Sequence, residues 1–344
     1  MRRVWSSALP STSFRGIRFA STGSNSPKIL ITGALGQIGT DLCTALRTKY
    51  GAESVIASDI RKVEGNSLAG TGPYYYCDAL DMGGLNKLIV DNNVTWIIHL
   101  SAIMSVLGES MPQKAMDINI DAVRNVLELS RMHNLRCYIP STMAVFNKDA
   151  GKDMTKDDTI LNPTTIYGIC KVLLEHLGCY YHRKYGVDFR CMRYPGMIAA
   201  ETLPGGGTTD YAVHMYHYAL KGQKYVCPVL PNEPLPMMYM PDCLKCTMAL
   251  LEAPQEKLKR RVYNIAALSF TPDEIKASIQ KVIPGFEVEY QRGLAQDIAE
   301  TWPNQMDDSN ARNDWGWSHE WSLDMMTKDM LEKVPKIHKL NVKK

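Results

Sequence analysis

Lys28-Ile-Leu-Ile-Thr32-Gly33-Ala-Leu-Gly36-Gln37-Ile38-Gly39 decides the fold. Lys28 to Thr32 is a short apolar run that stops at a glycine, as a strand buried on both faces does. From Gln37 to Tyr50, apolar residues recur at Ile38, Leu42, Ala45 and Leu46, the spacing of one helix face. The three glycines therefore stand at a strand-to-helix turn. Gly33 permits the tight turn, Gly36 lets the backbone approach a pyrophosphate, and Gly39 lets helix and sheet pack closely. The helix N-terminus offers unpaired N–H groups and partial positive charge to phosphates. Asp59 stands twenty residues past Gly39, at the end of a second apolar run, Ser54 to Ser58. A carboxylate there accepts hydrogen bonds from ribose hydroxyls and repels a 2′-phosphate, which favours NAD over NADP. Arg61 and Lys62 close by weaken that preference. No Gly-Lys-Ser/Thr follows the glycines, so a P-loop is excluded.

Outward from this unit the pattern repeats. Tyr74 to Cys77 reads as a third strand, Leu85 to Val90 as a helix, and Val94 to His99 as a fourth strand. Val123, Val126, Leu127 and Ser130 mark a helix, Arg136 to Pro140 a fifth strand, Ile166 to Tyr185 a long helix, and Asp188 to Tyr194 a sixth strand. The alternation predicts an α/β fold, a Rossmann-type doubly wound parallel sheet with helices on both faces. After Tyr194, Gly205-Gly206-Gly207 and Pro228, Pro231, Pro234 and Pro236 break the rhythm. A chain of 344 residues suggests two domains at roughly 150 residues each. We expect an NAD-binding domain over 27–195 and a smaller, mainly substrate-binding domain over 196–344. Within the latter, 239–266 (a helix from Tyr239 to Glu252 and a strand from Arg261 to Ile265) returns to the main sheet.

Residues 1–26 hold Arg2, Arg3, Arg15 and Arg18, many serines and threonines, and no acid; the first acid is Asp41. This is the composition of a mitochondrial transit peptide, with a mature start between Phe19 and Pro27. Without it, the formal charge of +3 becomes 35 basic against 36 acidic residues. A near-neutral body gives no footprint for nucleic acid, and no run of 18 apolar residues exists to span a membrane. Nine scattered cysteines fit a reducing compartment; Cys243 and Cys246 form a lone CxxC without a second pair at zinc spacing, so no metal site is expected.

Tyr167-Gly-Ile-Cys-Lys171 places a phenol and an ammonium four apart on one helix face. A phenol titrates near pH ~10 and a neighbouring ammonium lowers that value, which makes a general base. Pro140-Ser141-Thr142 closes the fifth strand at the carboxyl edge of the sheet, where ligands bind in open α/β folds, and the Thr142 hydroxyl can meet the reacting oxygen there.

These residues resemble the extended short-chain dehydrogenase/reductases: the glycine turn, Asp59, Asp78 after the third strand, Leu100-Ser101-Ala102, Asn119, Ser141-Thr142 and Tyr167/Lys171. The resemblance runs over roughly residues 28–330. Within it, the chain is most similar to the short-chain-type L-threonine 3-dehydrogenases. That likeness rests on Arg193-Tyr-Pro-Gly196, Pro204-Gly-Gly-Gly-Thr-Thr-Asp-Tyr211, Leu235-Pro-Met-Met238, Ser269-Phe-Thr-Pro272, Trp302-Pro303 and Asp307-Asp-Ser-Asn-Ala-Arg312. Many superfamily members have Ser where Thr142 stands, but a hydroxyl is retained.

The resemblance implies NAD-dependent oxidation of L-threonine to 2-amino-3-oxobutyrate. Tyr167 is then the base. Lys171 lowers its pKa and holds the nicotinamide ribose, Thr142 orients the substrate hydroxyl, and Asn119 supports a proton relay through water. The implied cofactor contacts are Gly33, Gly36, Gln37, Ile38, Gly39, Asp59, Asp78, Ala79, Leu100, Ser101, Ala102, Asn119, Tyr167, Lys171, Tyr194 and Ile198. The implied substrate contacts are Ser105, Thr142, Tyr167, Thr208 and Thr209, with Trp302 closing the pocket. Ser101 competes with Ser105 for its role, Thr208 can instead cap a helix starting near Asp210, and Trp302 can be plain core. The triple glycine before Thr208 suggests a loop that rearranges on binding. A homodimer through the helices near 112–132 and 165–185 is implied, as is passage of the β-keto acid product to a CoA-dependent ligase, or its loss of CO2. Two alternatives keep the fold: a nucleotide-sugar epimerase or dehydratase, and a non-catalytic dinucleotide-binding subunit. Against the first, 196–240 offers only Lys221 and Lys224 to a diphosphate; against the second, both Tyr167 and Lys171 are present.

Overall fold

The computed structural model describes residues 26–202 and 205–342. The expected leader, apart from Ser26, lies outside them. The strands are β1 (Ile29–Thr32), β2 (Val55–Asp59), β3 (Tyr74–Tyr76), β4 (Trp96–His99), β5 (Arg136–Tyr138), β6 (Ser141–Thr142), β7 (Asp188–Tyr194), β8 (Gly196–Ile198), β9 (Tyr225–Cys227), β10 (Leu235–Tyr239), β11 (Val262–Asn264), β12 (Leu268–Phe270) and β13 (Val288–Tyr290). The main sheet runs β11-β7-β5-β4-β1-β2-β3, with β6 beside β7, and every pairing is parallel. Strand order reverses between β1 and β4, so the crevice over their carboxyl ends is where this architecture places a ligand.

The helices are α1 (Gln37–Tyr50), α2 (Met82–Asp91), α3 (Ser105–Ser110), α4 (Pro112–Met116), α5 (Ala122–His133), α6 (Ile166–Tyr185), α7 (Tyr211–Leu220), α8 (Met240–Glu252), α9 (Pro272–Gln280), α10 (Leu294–Ala299), α11 (Ser309–Trp315) and α12 (Leu323–Val342), and the main sheet is covered on both faces. The alternation along β1 shows why. Ile29 and Ile31 join one apolar layer with Leu42 of α1 and Leu250 of α8. Leu30 joins the other with Val126 of α5 and Leu174 of α6. α6 begins at Thr165, whose hydroxyl accepts from the Gly168 amide at 3.1 Å, and ends at Gly186, whose φ of 73° suits glycine.

The second lobe packs Tyr211, Tyr216, Met237, Phe270 and Met330 around its own core. It holds a three-stranded sheet, β12-β10-β8, and a parallel pair, β9 with β13, and the sequence reading resolved neither. β11 lies beside β7 at the edge of the main sheet.

Candidate active site

A cavity of about 1380 Å³ lies over the carboxyl ends of β1, β2 and β4 and reaches the second lobe. The glycine turn forms one end. Gly33 has φ +70°, and a Cβ there would stand 2.7 Å from the Ser101 amide nitrogen. A Cβ on Gly39 would stand 2.8 Å from Ala34 Cα. Both positions are closed to any side chain, so the turn holds its helix against the strand as the sequence required. Asp59 Oδ2 accepts from the Leu35 amide at 3.0 Å, and Oδ1 accepts from the Arg61 amide at 3.1 Å. The Arg61 guanidinium folds back onto the same carboxylate, with Nε 3.0 Å from Oδ1. Gln37 Nε2 is buried with no partner.

At the far side of β4, Tyr167 and Lys171 project from α6, each 6% exposed. Burial pushes the Tyr167 phenol above its usual value, and the neighbouring Thr142 hydroxyl pulls it back. Lys171 Nζ donates to the Pro140 carbonyl at 2.7 Å and lies 5.6 Å from the Tyr167 ring centre. Burial lowers the Lys171 pKa to about 8. Three polar groups thus meet at one buried edge: a phenol, a hydroxyl near it, and an ammonium with two further protons to donate.

Across the cavity, Ser105 opens α3 and its Oγ stands 3.0 Å from Thr208 Oγ1; the Thr208 amide also donates to it, at 3.3 Å. Both residues are 2% exposed. Asp210 accepts from the Gly206 and Gly207 amides at 2.8 Å each, which braces the loop ahead of Thr208. Trp302 is buried against the cavity, and its Nε1 has no partner.

The model of the NAD dependent epimerase/dehydratase family matches residues 29–266. The mitochondrial L-threonine 3-dehydrogenase of Bos taurus is 45% identical over 305 residues, 88% of this chain and 82% of that protein. The solved L-threonine 3-dehydrogenase of Trypanosoma brucei superposes with a TM-score of 0.90 at 55% identity, covering 92% of this chain and 99% of that one. The chain belongs to the NAD-dependent epimerase/dehydratase family, among its L-threonine 3-dehydrogenases. A monomeric L-threonine 3-dehydrogenase from a metagenome shares the fold too, with a TM-score of 0.86 at 39% identity over 91% of this chain and 99% of that one.

In this epimerase/dehydratase-family chain, the structure brings the sequence-selected residues to one cavity with two exceptions. Asn119 lies in a π-helical turn, Asp117–Asp121, and both ends of its amide meet the Ile103 backbone, at 2.9 and 3.0 Å. It braces the loop that follows β4 and does not line the cavity. Ile198 is wholly buried in the apolar core of the second lobe. Thr208 does not cap α7: no side chain caps that helix, and the Thr208 hydroxyl faces Ser105. Ser105 lines the cavity and so does Ser101. Reasoning from the sequence missed Leu35, Met143, Met197 and His217, which also line it. A pattern gives no signal for such residues, because apolar walls and a helix histidine look like core.

Proposed function

We propose that this protein oxidises L-threonine at C3 to 2-amino-3-oxobutyrate, with NAD as the hydride acceptor. The observation that carries the reading is the single cavity that joins the Tyr167, Lys171 and Thr142 edge to the Ser105 and Thr208 hydroxyl pair. The residues present suit a dinucleotide. The glycine turn has no room for a Cβ, the buried Gln37 amide lacks a partner, and Asp59 offers acceptors where ribose hydroxyls are read. Gly33, Gly36 to Gly39, Asp59, Asp78, Ala79, Leu100 to Ala102 and Tyr194 would hold it. NAD, when bound, supplies the hydride acceptor.

The chain's own residues do the rest. Tyr167 Oη takes the C3 hydroxyl proton, and the Thr142 hydroxyl orients that oxygen. The Lys171 ammonium stabilises the phenolate that precedes the step. Ser105, Thr208 and Thr209 meet the ammonium and carboxylate of threonine, and Trp302 closes over them with its free N–H as a donor. Asn119 acts through the loop it braces. A nucleotide diphosphate finds little here: on the surface, Lys224 is already paired with Glu289 at 2.6 Å.

The protein works as a homodimer in this reading. Ile169, Leu173 and Tyr180 form an exposed apolar stripe along α6, at 49%, 38% and 45% exposure, on one of the two helices expected to pair. Residues 1–26 direct it to mitochondria, where its β-keto acid product passes to a CoA-dependent ligase. The test is NADH formation at 340 nm by the purified chain with NAD and L-threonine, beside chromatography of UDP-glucose incubated with the same protein. Turnover with threonine alone is expected. Tightly held NAD with turnover of the sugar nucleotide alone would replace this reading by the epimerase one.

A further inference from the structure

Tyr167, Lys171 and Glu175 occupy successive turns of one face of α6. The first two belong to the proposed chemistry, while Glu175 is buried and points away from the cavity. Its Oε1 accepts from Ser141 Oγ at 2.5 Å and from Arg193 Nε at 2.9 Å; its Oε2 accepts from Arg193 Nη2 at 2.8 Å. The two side chains are 4% and 6% exposed. A buried ion pair adds little net stability over an apolar pair, because desolvation offsets the attraction. Fixed position is what it does supply.

We propose that the Glu175–Arg193 pair is a positioning element for the reaction, holding the Lys171 and Thr142 edge and the segment that carries Trp302 in one geometry. The inference rests on the dehydrogenase reading above. On one side, Ser141 stands between Pro140, whose carbonyl receives Lys171 Nζ, and Thr142, which lines the cavity with Tyr167. One carboxylate therefore ties β6 to the helix that bears the base. On the other side, Arg193 Nη1 donates to the Asp157 carbonyl at 2.8 Å and to Asn264 Oδ1 at 3.2 Å. The Asp157 carboxylate accepts from the Asn264 amide at 2.6 Å and from Asn310 Nδ2 at 2.8 Å. Asn264 Nδ2 donates to the Thr155 carbonyl at 2.9 Å, and Thr155 pairs with Met306, four residues past Trp302. The Asp307–Arg312 stretch, which the chemistry left unused, thereby gains a part: Asn310 closes the network.

Charge adds to position. Cys170, Cys191, Glu175 and His99 face Lys171, along with Tyr167. Burial drives the ammonium toward its neutral form, and the Glu175 carboxylate opposes that. A neutral residue at 175 takes away the opposition, so Lys171 loses its proton at lower pH.

The test compares wild type, Glu175→Gln and Ser141→Ala in threonine-dependent NADH formation across pH. Lys171 titration is followed in parallel by NMR on lysine-labelled protein, which needs no turnover. Glu175→Gln is expected to keep its circular dichroism, to lose about tenfold or more in kcat, and to show Lys171 titrating at lower pH with the rising limb of kcat/KM moving alongside. Ser141→Ala is expected to lower kcat with that limb in place, because the charge remains. A folded Glu175→Gln with both the titration and the limb unmoved would overturn the proposal. If that variant fails to fold, Ser141→Ala decides, and wild-type kcat would overturn it. Absence of threonine turnover in the wild type sinks the dehydrogenase reading instead, and the NMR titration still decides the pair.

Discussion

Gly39 shows how little freedom the turn has at the scale of a residue. A Cβ there would meet the Gly33 carbonyl and stand 2.8 Å from Ala34 Cα, all of it backbone that cannot yield cheaply. Gly39→Ala is expected to cost about 1–3 kcal/mol in unfolding free energy and to weaken NAD binding, measured by denaturant titration and by nucleotide fluorescence. Thr208→Ala takes the side-chain partner from the buried Ser105 hydroxyl, which keeps the Thr208 amide as a donor, at about 0.5–1.5 kcal/mol. KM for threonine should rise more than kcat falls, and unchanged kinetics would remove Thr208 from the substrate site. Lys171, held at about 8, sets a further expectation. The active form pairs that ammonium with the Tyr167 phenolate, whose own pKa burial raises, so kcat/KM should rise with pH up to that value and level off above it. The nearness of Tyr167 and Lys171 was legible because a spacing of four fixes a helix face whatever the tertiary structure. The backbone role of Asn119 was not. Whether an asparagine faces a cavity or a loop depends on a π turn, and no side-chain pattern encodes one.

Among the elements, β1 and β2 could be read because they are short apolar runs closed by a glycine or an acid. β8, β10 and β12 could not. They are three to five residues long, one contains Pro236, and each is a strand only by virtue of partners far along the chain. α6 was legible from Ile166 to Tyr185, and its outer face carries the prediction that belongs to this scale. Leu173→Glu places a charge in the exposed stripe without touching Tyr167 or Lys171 on the opposite side. Sedimentation should show the homodimer shifted to monomer while circular dichroism is kept. A wild type already monomeric would discard this interface, and one solved relative is indeed described as monomeric.

For the whole molecule, the two lobes meet where the chemistry is proposed, and buried ionisable groups tie stability to pH. His99 is 2% exposed, its Nδ1 stands 2.7 Å from Thr32 Oγ1, and its Nε2 has no partner. Burial, with Lys171 nearby, lowers its pKa from 6.5 to about 3. The unfolded chain therefore binds a proton below pH 6.5 that the folded one refuses until about 3, and stability falls as pH drops through that window. In His99→Phe, the fall in Tm between those two pH values should be shallower than in the wild type. The change of rhythm at Tyr194 was legible, and β8 of the small sheet begins at Gly196. The union of both halves in one buried network was not, because Arg193, Asp157 and Asn264 are distant in sequence and carry no shared pattern. The central claim, that this cavity oxidises threonine through Tyr167, is tested most directly by absorbance at 340 nm. Wild type and Tyr167→Phe would each be mixed with NAD and L-threonine at matched NAD occupancy. NADH is expected from the wild type and near-silence from the variant; equal rates from the two, or none from a folded wild type with NAD bound, would contradict that claim.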